Sequence, residues 1–404
     1  MAVRANKPAF NIREKLKELT NNVGLKGREL MRAVTVQEAR DLVSAGRKNL
    51  IINGDMKIAQ KQTSQTITVN TQIYPCVDRF KIELGAQPSP DYTYSQDSDA
   101  PAGFTKSFKI EVNSPDTQST GVTRYNLVGH LLEQGNIDAL GWGTSAAKSA
   151  TVSFWIKSNV VGGNVVELLI RRNGTIQNES IAAQIVIDSA DTWEYKTITI
   201  PATTTDTGRP ADNNLGFGMY FSFEGVVNNS TLSSYLTWDT NNRLGGAAGS
   251  TNLFGTTSGA YMNITGVQLE VGKNATEFEH RFYGEELALC QRYYERFSAD
   301  CGNGGYATLM MASKNSNTLI VGQPIFRVPK RASGATFSYG GDFRMHNAIT
   351  GSNITITGVQ NSQLGIHGGY LVIIMSNNTM SNGDGYRLEG RGDVNAFIAF
   401  SSEL

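Results

Sequence analysis

Side chains able to do chemistry are sparse in this sequence. The four histidines, His130, His280, His346 and His367, are scattered, and none stands in H-x-x-x-H or H-E-x-x-H spacing. No metal-ligand motif is therefore visible. The three cysteines, Cys76, Cys290 and Cys301, are odd in number and lack C-x-x-C spacing. They are expected to be small buried apolar side chains, not a disulfide framework or a zinc site. There is no G-x-S-x-G elbow and no P-loop, and Gly302-Asn303-Gly304-Gly305 lacks the lysine that phosphate cradling uses. The sequence assigns no catalytic residue, no metal ligand and no cofactor site, and no cofactor is expected.

Carboxylates are the only acid–base groups numerous enough for hydrolysis. A glycosidase needs two of them roughly 5–9.5 Å apart. Glu83, Asp91, Asp97, Asp99, Glu111, Asp188, Asp191, Glu224 and Asp239 fall on or near β elements, and sequence does not pair them. Surface or turn positions account for most such acids. Asp91, Asp97 and Asp99 sit among tyrosines and serines, a composition that suits oxygen ligation of calcium but lacks the EF-hand pattern. Sugar recognition uses aromatic faces with a few polar groups. Trp142, in Leu140-Gly141-Trp142-Gly143, and Trp238, in Tyr235-Leu236-Thr237-Trp238-Asp239, are the candidate glycan contacts. Their structural alternative is as core or loop anchors. Trp155 and Trp193, in clear strand patterns, are expected in the core.

The elements that would position these groups are mainly β. Residues 1–48 are the exception. Ile12, Leu16 and Leu19 recur at helical spacing, and Thr35-Val36-Gln37-Glu38 is a capping box opening a second stripe through Val36, Leu42 and Val43. Two short amphipathic helices cannot form a core alone, so these six apolar residues are assigned to docking or oligomerisation. From Asn49 onward, strands are expected at 50–52, 80–84, 104–112, 151–157, 165–171, 183–187, 193–200, 217–223 and 261–271. Residues 151–157 alternate, with Val152, Phe154 and Ile156 on one face and Trp155 on the other. Many antiparallel strands with long loops predict a jelly-roll sandwich over 49–283. A connecting helix is expected over 284–298. Seven further strands, at 306–312, 318–328, 335–339, 353–360, 369–376, 386–390 and 395–400, predict a small β-sandwich over 299–404, with Pro324 and Pro329 at edges or ends.

Charge divides the chain at the same place. Lys+Arg and Asp+Glu are equal at 36 each. Residues 1–48 hold eleven Lys/Arg against five Asp/Glu, a surplus of six that the remaining residues cancel. Those cations are interleaved with acids and accompanied by one ring, Phe10, which favours a solvated helix face or a protein partner over nucleic acid. No apolar run approaches a membrane span, and the basic start lacks a signal-peptide core.

Several segments resemble a known group. Lys48-Asn49-Leu50-Ile51-Ile52-Asn53-Gly54-Asp55-Met56 is similar to the opening of a jelly-roll module in bacteriophage tail-fibre and related virion proteins. Val77-Asp78-Arg79-Phe80, then residues 150–158, then Thr265-Gly266-Val267-Gln268-Leu269-Glu270-Val271-Gly272 with Ala275-Thr276-Glu277-Phe278-Glu279-His280-Arg281, resemble its later landmarks in order. Glu277 stands where that group usually has proline. The helical start looks like that of marine podovirus virion proteins.

The resemblance implies a carbohydrate-binding-module-like jelly roll and a non-enzymatic virion structural protein. It implies a tail fibre or fibre-like appendage, usually homotrimeric, located in the virion. Residues 1–48 would dock on other virion proteins, and residues 299–404 would form a tip for host-surface glycan. His280 would pack at the sandwich edge. A capsid decoration or head fibre protein is the structural alternative, and a polysaccharide depolymerase tailspike is the enzymatic one.

Overall fold

The computed structural model describes residues 48–85, 91–115, 125–224, 234–240, 254–298, 308–314, 319–347, 349–376 and 385–404. The chain divides into two compact units, Met1–Lys48 and Asn49–Leu404. Ile12, Leu16, Leu19, Val36, Leu42 and Val43, with the helices expected there, lie outside the described residues. The fold of the second unit is mainly β.

Its first twelve strands are β1 (Ser64–Ile67), β2 (Thr71–Ile73), β3 (Phe80–Gly85), β4 (Asp91–Asp97), β5 (Ser107–Ser114), β6 (Tyr125–Glu133), β7 (Ala150–Ser158), β8 (Gly162–Arg172), β9 (Glu179–Ile187), β10 (Glu194–Ile200), β11 (Leu215–Glu224) and β12 (Tyr261–Val271). They form two six-stranded sheets, β1-β4-β5-β12-β7-β10 and β2-β3-β6-β11-β8-β9. Side chains alternate across each strand, so one face of each sheet is apolar and the two apolar faces stack. Val152, Phe154 and Ile156 of β7 are buried in one core cluster with Val128, Phe217, Met219 and Phe221 of the second sheet. The Phe154 and Phe221 rings meet edge to face at 5.0 Å.

Residues 50–52 form no strand, contrary to the sequence expectation. Two asparagines capture the backbone instead. Asn49 Oδ1 accepts from the N–H groups of Ile51 (2.9 Å) and Leu269 (3.1 Å). Asn53, in the left-handed region at φ 60°, donates its amide to Ile58 O and Asp78 O, both at 2.9 Å. Gly54 follows because a Cβ there would stand 2.1 Å from Val267 O. The opening landmark is thus a hydrogen-bonded plug joining the chain's entry to β12.

The helix is shorter than expected. It covers Tyr283–Gln291, and Tyr294–Ser298 is strand β13. Tyr294 and Phe297 therefore follow strand geometry, pairing with Ser401 and Ile398. The remaining strands are β14 (Thr308–Lys314), β15 (Leu319–Gly322), β16 (Thr336–Gly340), β17 (Phe343–Asn347), β18 (Asn353–Leu364), β19 (Gly369–Met375), β20 (Tyr386–Gly390) and β21 (Phe397–Ser401). The small C-terminal sandwich takes the form of a closed barrel, β14-β15-β19-β18-β17-β20, beside a three-stranded sheet β13-β21-β16. Closure removes the free edges that an open six-stranded sheet would expose. Pro324 lies just beyond β15, as a residue without an N–H requires.

One buried titratable group gives the sandwich a pH signature. His130 of β6 is 1% exposed; its Nε2 accepts the Ile52 N–H at 3.1 Å, and its ring meets Phe80 edge-on at 5.6 Å. Burial, reinforced by the Arg79 charge, holds this imidazole well below its usual range. The fold keeps it neutral while the unfolded chain takes up a proton. Its stabilisation is complete above pH ~6.5 and is lost as pH falls, at up to about 1.4 kcal/mol per pH unit. Asp78 works the other way. Burial raises its carboxyl to about 6, so its stabilisation grows as pH falls through that value. A His130→Gln variant keeps an acceptor for Ile52 and removes the imidazole. Its melting temperature is expected to fall less between pH 7.5 and 5.0 than that of the parent. Parallel profiles would reject the assignment.

Candidate functional site

The outer face of the first sheet carries an open groove. Trp155 of β7 and Tyr195 of β10 are direct cross-strand partners. Their rings lie 5.3 Å apart at 48°, and Tyr195 is 45% exposed. The same parity places Thr151 and Ser153 of β7 and Thr197 and Thr199 of β10 on this face. Across from them stands a wall made by Phe104, Phe278 and His280. Phe104 is 5.1 Å from Phe278 and 5.3 Å from His280, and the latter two are 4.9 Å apart. The groove encloses about 790 Å³. Thr276, Asn274, Lys273 and Glu277 add polar groups along its rim.

A bulge in β12 sets the groove's depth. Thr265 pairs with Trp155 but Gln268 pairs with Ser153, so Gly266 and Val267 together stand opposite Phe154, one residue more than the ladder needs. Gly266 sits in the left-handed region at φ 62°. A Cβ on it would be 2.7 Å from Phe104 Cζ and 3.2 Å from Trp155 Cδ1. Only glycine combines that backbone with that approach. Gly266→Val is expected to destabilise the chain by about 2–3 kcal/mol, the range of a strained left-handed residue plus overpacking. It is also expected to change Trp155 fluorescence, and an unchanged spectrum with unchanged melting would reject this role.

The closing landmark builds the wall. Gln268 Oε1 accepts the Glu279 N–H at 2.8 Å, and its amide donates to Glu277 O at 3.2 Å. Glu270 accepts the Thr276 N–H at 3.0 Å and its hydroxyl at 2.5 Å. Both side chains are buried, and their hydrogen bonds fix residues 276–279 against the sheet. Glu279 then accepts the Asn49 N–H at 2.7 Å, and Arg281 donates to Ile51 O at 3.0 Å and to Asn49 O. The segments that carry the resemblance thus converge to hold one side of the groove. His280 belongs to its aromatic edge.

A carboxylate beside the groove is occupied. Asp99 accepts from Lys157 Nζ at 2.7 Å and from the Trp193 indole N–H at 3.1 Å. The Lys157 hydrogen bond holds this carboxyl below its ordinary range. Trp155 and Trp193 were expected in the core and instead stand on the outer face. The sequence shows Trp155 out of phase with Val152, Phe154 and Ile156; the expectation of a core position rests on the clear strand patterns that hold the two tryptophans. What that argument lacked was the cross-strand aromatic partner.

The other acids are spread over the two sheets and their turns. Glu83 accepts from Arg171 (2.7 Å) and Tyr220 (3.2 Å) on the outer face of the second sheet. Asp91 and Asp97 occupy opposite ends of a seven-residue strand. Asp97 caps the turn by accepting the Asp99 N–H at 3.0 Å. Glu111 pairs with Lys109 at 2.8 Å, Asp188 with Lys196 at 2.7 Å, and Asp191 accepts from the Tyr261 hydroxyl. Glu224 ends β11, and Asp239 makes a backbone bridge with Ser180. Among the described residues no three His, Cys, Asp or Glu side chains form a metal-sized cluster. The buried Cys76 thiol is pushed up to about 12 by burial, which leaves it unreactive. Cys301 lies outside the described residues.

The two tryptophans picked from sequence do meet. Trp142 and Trp238 form an edge-to-face pair at 5.2 Å, packed on the sandwich core. Each indole N–H already donates to a backbone carbonyl, Lys148 O at 2.7 Å and Pro201 O at 2.9 Å. Trp142 also lines a smaller cavity of about 220 Å³ with Arg172 and Arg209. Glu179 (2.5 Å) holds Arg172, and Asp138 (2.6 Å) holds Arg209.

Chemically, the large groove offers flat rings beside hydroxyl and amide groups. Glu277 is the one carboxylate among its described lining residues. That combination suits stacking and hydrogen bonding of a polyhydroxylated ring.

No protein-family model and no curated protein matches this sequence. Among solved structures, the chain is similar to the enzymatically active domain of tailspike protein 4 of bacteriophage CBA120, at 12% identity, 55% of this chain, 21% of that one and a TM-score of 0.27. The chain thus spans about a fifth of that protein's length. It is similar to a putative sugar binding protein from Bacteroides thetaiotaomicron, at 11% identity, 55% and 100% coverage and a TM-score of 0.32. It is also similar to the family 11 carbohydrate-binding module from Clostridium thermocellum, at 14% identity, 54% and 99% coverage and a TM-score of 0.25. No helix among the described residues is long and apolar enough to cross a membrane.

Proposed function

We propose that this chain is a non-catalytic virion protein of a bacteriophage, a tail fibre or fibre-like appendage, whose jelly roll presents the Trp155–Tyr195 groove to host-surface carbohydrate. The carrying observation is the groove itself. It is an open trough on a sheet face, with two adjoining rings, a row of threonines and an aromatic wall. An extended glycan lies along such a trough with its C–H faces on the rings and its hydroxyls on the Thr, Ser and Asn side chains. The virion part of the reading rests on the ordered sequence landmarks, which here form the plug and the wall. Residues 1–48 dock on the particle through their apolar stripes, and the chain assembles as a homotrimer.

Two measurements test this reading. Purified protein is expected to bind host polysaccharide without releasing reducing ends; their release would make it a depolymerase. A truncated chain of residues 49–404 is expected to fold and bind glycan but not enter particles, and its normal incorporation would reject the docking role. The position of the protein on the particle separates a tail fibre from a capsid decoration protein.

A further inference from the structure

The aromatic wall continues past the groove. Residues 278–282 alternate between two sides. Glu279 and Arg281 turn inward. Glu279 accepts the Asn49 N–H at 2.7 Å, and Arg281, whose side chain is 4% exposed, donates to Ile51 O at 3.0 Å and to Glu286 at 3.2 Å. Phe278 and His280 turn outward, with their rings 4.9 Å apart on the groove edge. Phe282 is the next residue of that parity, and its backbone is extended at φ −62° and ψ 143°. It is 87% exposed, more than any other large apolar side chain among the described residues. Two extended residues advance a chain by about 6–7 Å, so the third ring stands one step beyond the second.

The backbone under that ring is tied down on both sides. Arg281 is fixed to the Asn49 plug by the bonds just named. Phe282 O accepts the Glu286 N–H at 3.0 Å, which opens the helix Tyr283–Gln291. The Glu286 carboxylate in turn accepts the Asn53 N–H at 2.5 Å. A ligand on Phe282 would not have to order the chain that carries it. Past the ring, Gly284 has no atom of the described residues within 4 Å of where a Cβ would stand, so the far side is open. Single exposed apolar side chains are ordinary on a protein surface. A ring that continues an aromatic row away from a groove is a stacking surface in line with it.

We infer that Phe278, His280 and Phe282 form a stacking track that carries the glycan beyond the groove, so that the ligand is a long polysaccharide bound along its chain and not a terminal sugar. This inference rests on the carbohydrate reading of the groove given above and adds the class of ligand to it. A short chain end fills the trough and leaves Phe282 in water. A chain that runs through lays the C–H face of a further sugar on that ring, where the phenyl group offers a flat apolar face and no hydrogen bond.

The test is calorimetry on the full chain with host-cell polysaccharide, partially hydrolysed and graded by size. The parent is expected to bind octasaccharides more tightly than trisaccharides. Phe282→Ala is expected to weaken octasaccharide binding about tenfold, the worth of one exposed stacked ring, and to leave trisaccharide binding within about twofold. Phe282→Tyr keeps a ring and is expected to bind both like the parent. Ile176→Ala removes another exposed apolar side chain, 73% exposed, and is expected to change neither. Unchanged melting temperatures confirm folding of all three variants. Equal parent affinity for the two lengths would overturn the track. So would octasaccharide binding that ignores Phe282→Ala but is lost on replacing Trp155 and Tyr195 by alanine, a result that leaves the groove reading intact. Absence of binding at every length would overturn both. A lower sedimentation coefficient for Phe282→Ala would make the ring a contact between copies of the chain, and would overturn the track as well.

Discussion

Replacing Trp155 and Tyr195 together by alanine is expected to weaken glycan binding by about 100- to 1000-fold. A pyranose face covering roughly 80 Å² of one ring is worth about 2 kcal/mol at ~25 cal/mol/Å², or about 30-fold in affinity. The rings are partners at 5.3 Å, so a single sugar chain contacts both and the two losses do not simply add. The folding cost is smaller. Both side chains point away from the core cluster, and the lost ring–ring contact costs about 1 kcal/mol. A Thr197→Ala variant on the same face removes one hydroxyl and is expected to lose less than tenfold. Calorimetry with fragments of the host polysaccharide, alongside thermal melts, measures all three. A folded double variant whose affinity stays within twofold of the parent would move the binding surface elsewhere.

How much of this was legible can be read from particular residues. Alternation in 151–157 shows the strand and puts Trp155 on the face opposite Val152, Phe154 and Ile156, yet the sequence expectation for Trp155 is the core, which the structure corrects. The pattern could not give Tyr195 as the partner, because register between strands forty residues apart leaves no trace in local pattern. The cleanest strands, such as β12, were found with the right ends. Strand β4 was missed because Tyr92 and Tyr94 alternate with small polar residues, and its acids drew a loop-like reading. Strand β6 was missed because Gly129 and His130 interrupt an apolar run. Gly129 is required there, since a Cβ would stand 2.2 Å from the Tyr220 ring. The Asn49 and Asn53 plug defeated the strand expected at 50–52, because side-chain hydrogen bonds replaced a ladder. The groove wall was present in the sequence as Gln268 and Glu270. Their outward parity on a central strand reads as surface, and only the folded-back segment at 276–279 shows why they are buried. Strand β17 is absent from the sequence expectation, whereas its partner β20 stands at the expected 386–390.

Converting Glu403 to glutamine is expected to have the largest effect on stability, about 3 kcal/mol. Arg79 is wholly buried and stands in the left-handed region at φ 71°. Its guanidinium pairs with Glu403, donates to Leu131 O at 2.6 Å and lies 3.4 Å above the Tyr293 ring. Burial alone would pull its pKa down; the Glu403 charge overrides this and raises it. The cation therefore stays ionised when Glu403 is neutralised, and a stranded buried charge costs about 3–5 kcal/mol. The amide oxygen of glutamine recovers part of that. For a folded unit of this size, Asn49–Leu404, the loss corresponds to a fall of about 4 °C in melting temperature.

The same residues join the sandwich to the barrel. Ser402 N–H donates to Tyr293 O at 2.6 Å, and the Tyr74 hydroxyl donates to Leu404 O at 3.1 Å. The Tyr293 hydroxyl donates to Glu133 at 2.5 Å, which also holds Arg292 through two bonds at 2.9 and 2.8 Å. Removing the Glu403 charge weakens this junction while leaving each core intact. Calorimetry of the Glu403→Gln variant is accordingly expected to resolve two transitions where the parent gives one. An Arg79→Met, Glu403→Gln double variant carries no stranded charge and is expected to recover much of the loss, since apolar replacement of a buried pair is often neutral. A single-variant melt within 1 °C of the parent, or a double variant less stable than the single one, would show that the pair is not what fixes the barrel to the sandwich.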